Sequence, residues 1–264
     1  MKFGVSALDK AWAKVEKDES AFVTKQLNKE ETKLNKLLED KVPESLQNTL
    51  DAAFAKAFHT VFEKGTDLIE KTYKKGDIEK DYKINAYAAS VKENKKTLKA
   101  FSKKASGAGT SNLLISGASG IGMGVLGIGI PDIVVFTSLM LRSVYEISLN
   151  YGFDYKSADE KKFILLLIQG AVSRDTKLLK INDELNHYME HGTFISAIHL
   201  EECIKDTAAC LSKELLYMKF LQGIPVVGAV GGAYDVVYMK QVNKFAELKY
   251  RRRFLVGKKR YNSI

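Results

Sequence analysis

Residues 116–136 read SGASGIGMGVLGIGIPDIVVF, and the fold class turns on what this stretch is. Gly122-x-Gly124-x-x-Gly127 spells a dinucleotide fingerprint, while the lack of any charge from Ala105 to Pro131 spells a membrane span. A third reading is close packing inside a soluble core. The fingerprint needs a strand before it and a helix straight after, so that backbone amides can hold a pyrophosphate. Here SNLLIS (111–116) makes a poor strand, Pro131 interrupts four residues after Gly127, and no βαβ alternation follows. Nucleotide binding is therefore set aside.

Read as a helix, Gly117, Gly120, Gly124 and Gly127 fall on one face, spaced 3, 4 and 3. Gly228, Gly231 and Gly232 do the same in a second apolar stretch, where Asp235 is the sole charge between Lys219 and Lys240. Such small-xxx-small faces let backbones approach closely. Each interior glycine disfavours an isolated helix by about 1 kcal/mol relative to alanine. The two stretches are therefore expected to pack against each other at the centre of the fold. Either is long enough to span a bilayer, at about 20 residues. The lone carboxylates of Asp132 and Asp235 oppose lipid burial unless they are paired. Permanent spanning, reversible or peripheral membrane association, and a soluble core all stay open at this point.

Working outward, only 3 Pro occur in 264 residues, and Lys and Glu dominate the polar set, which suits long helices. Phe54, Phe58 and Phe62 recur every four residues after Pro43, predicting an amphipathic helix that stops at Gly65. NAYAASVKENKKTLKAFSKKA (85–105) reads as one further helix. Ser157 precedes Glu160 by three residues, a capping-box start, and Gly192 stops a helix that begins near Asp175. The expected fold is all-α, a multi-helix bundle with a central Gly-rich apolar helical pair. Residues 1–40 form a charged helical extension and 41–264 the main domain.

The net charge of +9 draws the chain toward polyanions. Arg251, Arg252, Arg253, Lys258, Lys259 and Arg260 make the C-terminal helix a candidate for anionic headgroups. No helix-turn-helix stands out and the lysines of 1–104 lack interleaved aromatics, so nucleic acid is not the expected partner. The N-terminus carries no secretory signal pattern, which places the chain in the cytoplasm. Cys203 and Cys210 share a helix face about 10 Å apart, too far for a disulfide, and read as two small buried thiols.

Asp132, Ser143, Glu146 and Asn150 lie on one helical face, with Arg142 placed to bridge Glu146. Together with Asp154 and Asp235 they form either a structural set of caps and ion pairs or a polar pocket beside the glycines. A rival chemistry is His187-x-x-Glu190-His191, the inverted zinc-peptidase order. Two histidines at i and i+4 can share a zinc ion while the glutamate polarises its water. His199, Glu201 and Glu202 are the nearest third ligands. The polar flanks and the immediate stop at Gly192 weigh against it, so the expectation is no cofactor and no catalytic residue, with zinc and Glu190 as the alternative.

The blocks GIPDIVVFTSLMLRSVYEISLNYGFDY (129–155) and FLQGIPVVGAVGGAYDVVYMKQVNKFAELKYRRRFL (220–255) resemble the EcsC protein family of bacteria. The resemblance covers roughly 40–260 and rests most on 116–155. It implies a mostly helical, membrane-associated protein without a settled biochemical activity, named for a gene near a transporter operon. It would make Asp132, Arg142, Tyr151, Gly152, Asp154 and Arg253 shared positions. An amide is expected where this chain has Asp235. The leading expectation is thus a non-enzymatic protein associated with an anionic membrane surface, with a membrane protein or transporter as a further partner. A metal-dependent hydrolase and a pore-forming effector are the alternatives.

Overall fold

A computed structural model describes residues 5–28, 43–108, 130–221 and 232–261. Among the described residues the chain is all-α, with no strand. The glycines Gly117, Gly120, Gly124, Gly127 and Gly228, and the side chains of Asp132 and Asp235, lie outside this description, and so does the expected pairing of the two Gly-rich stretches.

The elements run α1 (Ala7–Leu27), α2 (Glu44–Thr60), a π-helical segment (Val61–Gly65), α3 (Thr66–Glu70), α4 (Lys75–Val91) and α5 (95–108). They continue with α6 (Ile130–Asn150), α7 (Ala158–Val172), α8 (Asp175–His191), α9 (Leu200–Leu221) and α10 (Gly232–Tyr261). The middle of the fold is α7, whose residues from Phe163 to Val172 are buried on every side. A helix apolar all round has no solvent face and must be enclosed; α8, α9 and α10 enclose it. A second layer forms where α6 packs against α2, α4 and α10. Phe54 and Phe58 of α2 face inward, with Phe54 set edge-on to Phe136 of α6, while Phe62 falls in the π segment and is half-buried. Each such phenylalanine contributes roughly 1.5–3 kcal/mol on burial.

Local signals read from the sequence recur in the structure. The Ser157 hydroxyl accepts from the Glu160 amide at 3.1 Å and starts α7. Gly192, at φ +78°, closes α8 in the left-handed conformation that glycine adopts without penalty. α6 begins at Ile130, beside Pro131. Two expectations are corrected. Gly65 does not end its helix: the backbone passes through a π turn there and continues into α3. The single helix expected over 85–105 is two, broken at 92–94, where the Asn94 side chain accepts from the amides of Lys96 and Thr97 and opens α5. Cys203 and Cys210 are both free thiols, yet only Cys203 is buried.

α1 packs against α8 and α10. Val15 is fully buried, and Phe22 stacks on Phe245 at 4.9 Å between centroids. Phe245 in turn lies so close to Gly170 of α7 that a Cβ there would sit 2.7 Å from its ring. Gly170 is thus where α7 and α10 touch backbone to ring. Gly152 is the second such place: at φ +83° it ends α6, and a Cβ on it would meet the Tyr82 ring at 2.1 Å.

Candidate functional site

The long C-terminal helix α10 carries the charges that organise this end of the molecule. Lys249 is fully buried, and its ammonium donates to Glu19 Oε1 (2.6 Å), Asn182 Oδ1 (2.5 Å) and Asn186 Oδ1 (2.8 Å). Three acceptors match the three protons of an ammonium group. Burial still lowers the Lys249 pKa to about 8, with the Glu19 charge pulling the other way.

One turn further on, Arg253 donates to both oxygens of Glu160, at 2.9 and 2.7 Å. Tyr250 Oη donates to the same carboxylate at 2.7 Å. The guanidinium lies 4.2 Å from the Phe153 ring centroid, 4.9 Å from Phe163 and 5.1 Å from Tyr188. Burial raises the pKa of Glu160 even against Arg253, and Glu160 holds Arg253 above its ordinary value despite the arginine's own burial. Arg251 pairs with Asp18 at 2.9 Å, and Arg252 reaches Glu19 and Glu190 at 3.4 Å each. Arg251–Arg253 therefore tie α10 to α1, α7 and α8. Lys258, Lys259 and Arg260 occupy the last turn: Arg260 is exposed, while Lys259 lies over the Trp12 ring at 4.4 Å.

A second polar cluster joins α3, α4 and α6. Tyr155 stacks on Tyr145 at 4.0 Å and donates to Glu70 Oε1 at 2.7 Å, while its hydroxyl also meets Tyr73 Oη at 2.7 Å. Lys75 and Lys156 reach Glu70 at 3.0 and 3.2 Å. Burial pushes the Glu70 carboxyl up, but the bonds from Tyr155, Lys75 and Lys156 outweigh it and leave the group below its ordinary value. Burial also holds Tyr155, Tyr73 and Tyr145 well above the usual phenol range, so they stay neutral donors. Beside them the π segment, Lys156 and Lys161 line a small cleft of about 180 Å³.

Of the residues read as either a structural set or a polar pocket, the structure brings Arg142, Glu146 and Asn150 together on α6. Arg142 Nε donates to Glu146 Oε1 at 2.9 Å, Asn150 Nδ2 donates to the Glu146 carbonyl at 2.7 Å, and Ser143 Oγ donates to Asn243 Oδ1 at 2.6 Å. The last bond ties α6 to α10, the two helices that follow the Gly-rich stretches. Asp154 stands apart, exposed on the turn after α6, where its carboxylate accepts from the Tyr155 amide. His187 and His191 stack at 4.2 Å, and Glu190 faces Arg252. Glu201, a candidate third zinc ligand, lies against His59 at 3.2 Å. Among the described residues no group of three His, Cys, Asp or Glu is placed to hold a metal ion.

Sequence reasoning missed Glu19, Lys249, Glu70 and Tyr155. A signal existed for Glu19. It falls in register with Trp12, Val15 and Phe22 on the inward stripe of α1, and an acid on an apolar stripe needs a buried cation. Nothing local marks Lys249 as that cation.

An all-α bundle closed by a long basic helix is what the geometry defines. The profile of the EcsC protein family matches residues 9–255, so the chain belongs to that family. It is 26% identical over 234 residues to Protein EcsC of Bacillus subtilis (strain 168), across 85% of this chain and 84% of that one. The family match begins inside α1, within the segment read as an extension. No solved structure matches the chain.

Proposed function

We propose that this chain is a non-enzymatic protein of the cytoplasmic membrane surface, docking on anionic lipid through the basic end of α10. The observation that carries the reading is the division of charge along that helix. Arg251 to Arg253 are paired with carboxylates inside the fold, whereas Lys258, Lys259 and Arg260 stand in the last turn, where Arg260 is exposed and Lys259 reaches Asp9 at 3.9 Å on the surface. Headgroup contact therefore falls to the terminal three rather than to all six. The net charge of +9 supplies the long-range attraction. Among the described residues, 133–150 is one segment apolar and long enough to cross a bilayer, but 72% of it is buried inside the bundle. Surface docking leaves that packing intact.

Co-sedimentation of the purified protein with phosphatidylglycerol vesicles tests this. Binding is expected at about 0.05 M salt and is lost toward about 0.5 M, as screening shortens the reach of the charges. Replacing Lys258, Lys259 and Arg260 together with Gln weakens it about 100-fold, at about 1 kcal/mol per basic residue. Absence of binding at low salt overturns the proposal, and so does equal binding to phosphatidylcholine.

A further inference from the structure

α1, α5 and α10 enclose a cavity of about 700 Å³ that none of the contacts described above fills. Its floor is apolar, formed by Leu98, Phe254 and Leu255 with the ring of Tyr151. Its rim carries Lys10, Lys14, Lys95, Lys99 and Arg251, and no carboxylate is among the lining residues. Asp18 lies close by, 2.9 Å from Arg251 and 3.3 Å from Lys14. Burial raises the Asp18 carboxyl, but these two bonds outweigh it and keep the group ionised, below its ordinary pKa. Lys10, Lys95 and Lys99 form no ion pair among the described residues. Five cations outnumber the two nearby carboxylates, Asp18 and Glu247, so the mouth is positive.

The second observation is Tyr151. It is 1% exposed and lines the cavity, and among the described residues its hydroxyl has no hydrogen-bond partner. Burial lifts its pKa far above the ordinary value, Glu247 adds to this and Arg251 opposes it, so the group is a neutral donor. A buried hydroxyl without an acceptor is destabilising, and a ligand oxygen within reach would satisfy it.

Each feature restricts the ligand. A volume of this size suits a small molecule. A metal ion is repelled by the rim, and a bare phosphate leaves the apolar floor unused. We propose that the cavity between α1, α5 and α10 binds an anionic amphiphile with a single acyl chain, the chain lying on Leu98, Phe254 and Leu255 and the acidic head held by Lys95, Lys99 and the Tyr151 hydroxyl. This goes beyond surface docking and stands apart from it, because it needs no bilayer and Lys258, Lys259 and Arg260 do not line the cavity.

The test is a titration of the purified full chain, without vesicles, with the fluorescent fatty acid cis-parinaric acid. Saturable one-to-one binding is expected, displaced by oleate or lysophosphatidylglycerol and at least about tenfold less well by oleyl alcohol, which lacks the charge. The stronger of the two acidic competitors assigns the head as carboxylate or phosphate. The double variant Lys95→Glu/Lys99→Glu, on exposed positions, lowers affinity about tenfold or more by reversing two rim charges. Tyr151→Phe, which removes only the unpartnered oxygen, lowers it roughly 3- to 10-fold with a melting temperature no lower than the parent's. Overturning results are no saturable binding by the parent chain, equal displacement by oleyl alcohol, or both variants binding like the parent.

Discussion

The two ends of the basic run at 249–260 of α10 hold the same residue types and use them in opposite ways. At Lys249–Arg253 every cation has a carboxylate within 3.4 Å, drawn from α1, α7 or α8. In the last turn Lys258 and Lys259 lie over the Phe254 and Trp12 rings, Lys259 reaches Asp9 only at 3.9 Å and Arg260 is exposed, while Lys10, Lys95 and Lys99 rim a cavity. The difference shows that a run of basic residues has no fixed meaning. Its inner half is an assembly device that holds distant helices in register, and its outer half is held by one long pair, Lys259 with Asp9 at 3.9 Å, and by ring contacts at the surface.

The contrast breaks first at Arg253. Arg253→Met leaves Glu160 buried at 3% exposure without its cation, and such a loss lowers unfolding free energy by about 3–5 kcal/mol. Urea denaturation measures it, and a loss near zero would remove the distinction between the two ends.

Lys249 sharpens the contrast through pH. In the fold its ammonium titrates near pH 8, against 10.5 for an ordinary lysine. Below pH 8 both states are protonated and the burial penalty is complete. Between those values the unfolded chain holds more protons, so stability rises with pH and gains about 3 kcal/mol across the window. Lys249→Met lacks this gain. The stability of the parent relative to the variant therefore climbs from pH 8 to about 10.5; a flat difference would mean that the lysine is not desolvated.

The smallest effect falls at the outer end. Replacing Lys258, Lys259 and Arg260 with Gln changes folding stability by at most about 1 kcal/mol, because a solvent-screened pair such as Lys259 with Asp9 contributes little. A larger loss in the melting experiment would place the tail with the inner half.

What could be read in advance divides by distance along the chain. Ser157 and Glu160, Gly192 after His191, and Arg142 with Glu146 are separated by four residues or fewer. One turn of helix is enough to bring them together, so their pairing is legible in the sequence. The clusters that organise the site join Lys249 to Glu19 across 230 residues and Arg253 to Glu160 across 93. No periodicity records which acid meets which base over such spans. The family resemblance marked position 253, yet the arginine read as a headgroup contact is caged by Glu160 and three aromatic rings. Gly152 was marked in the same way, and its reason lies in the Tyr82 ring from α4.

Composition and helical period determined the all-α class, most of the helix ends and the net positive charge, since these depend on backbone propensity and on neighbours one turn apart. The tertiary structure alone decided which cations are neutralised, because burial and ion pairing are set by helices that meet from opposite ends of the chain. It also decided that Lys10, Lys95 and Lys99, unremarkable in the sequence, stand together around one apolar cavity.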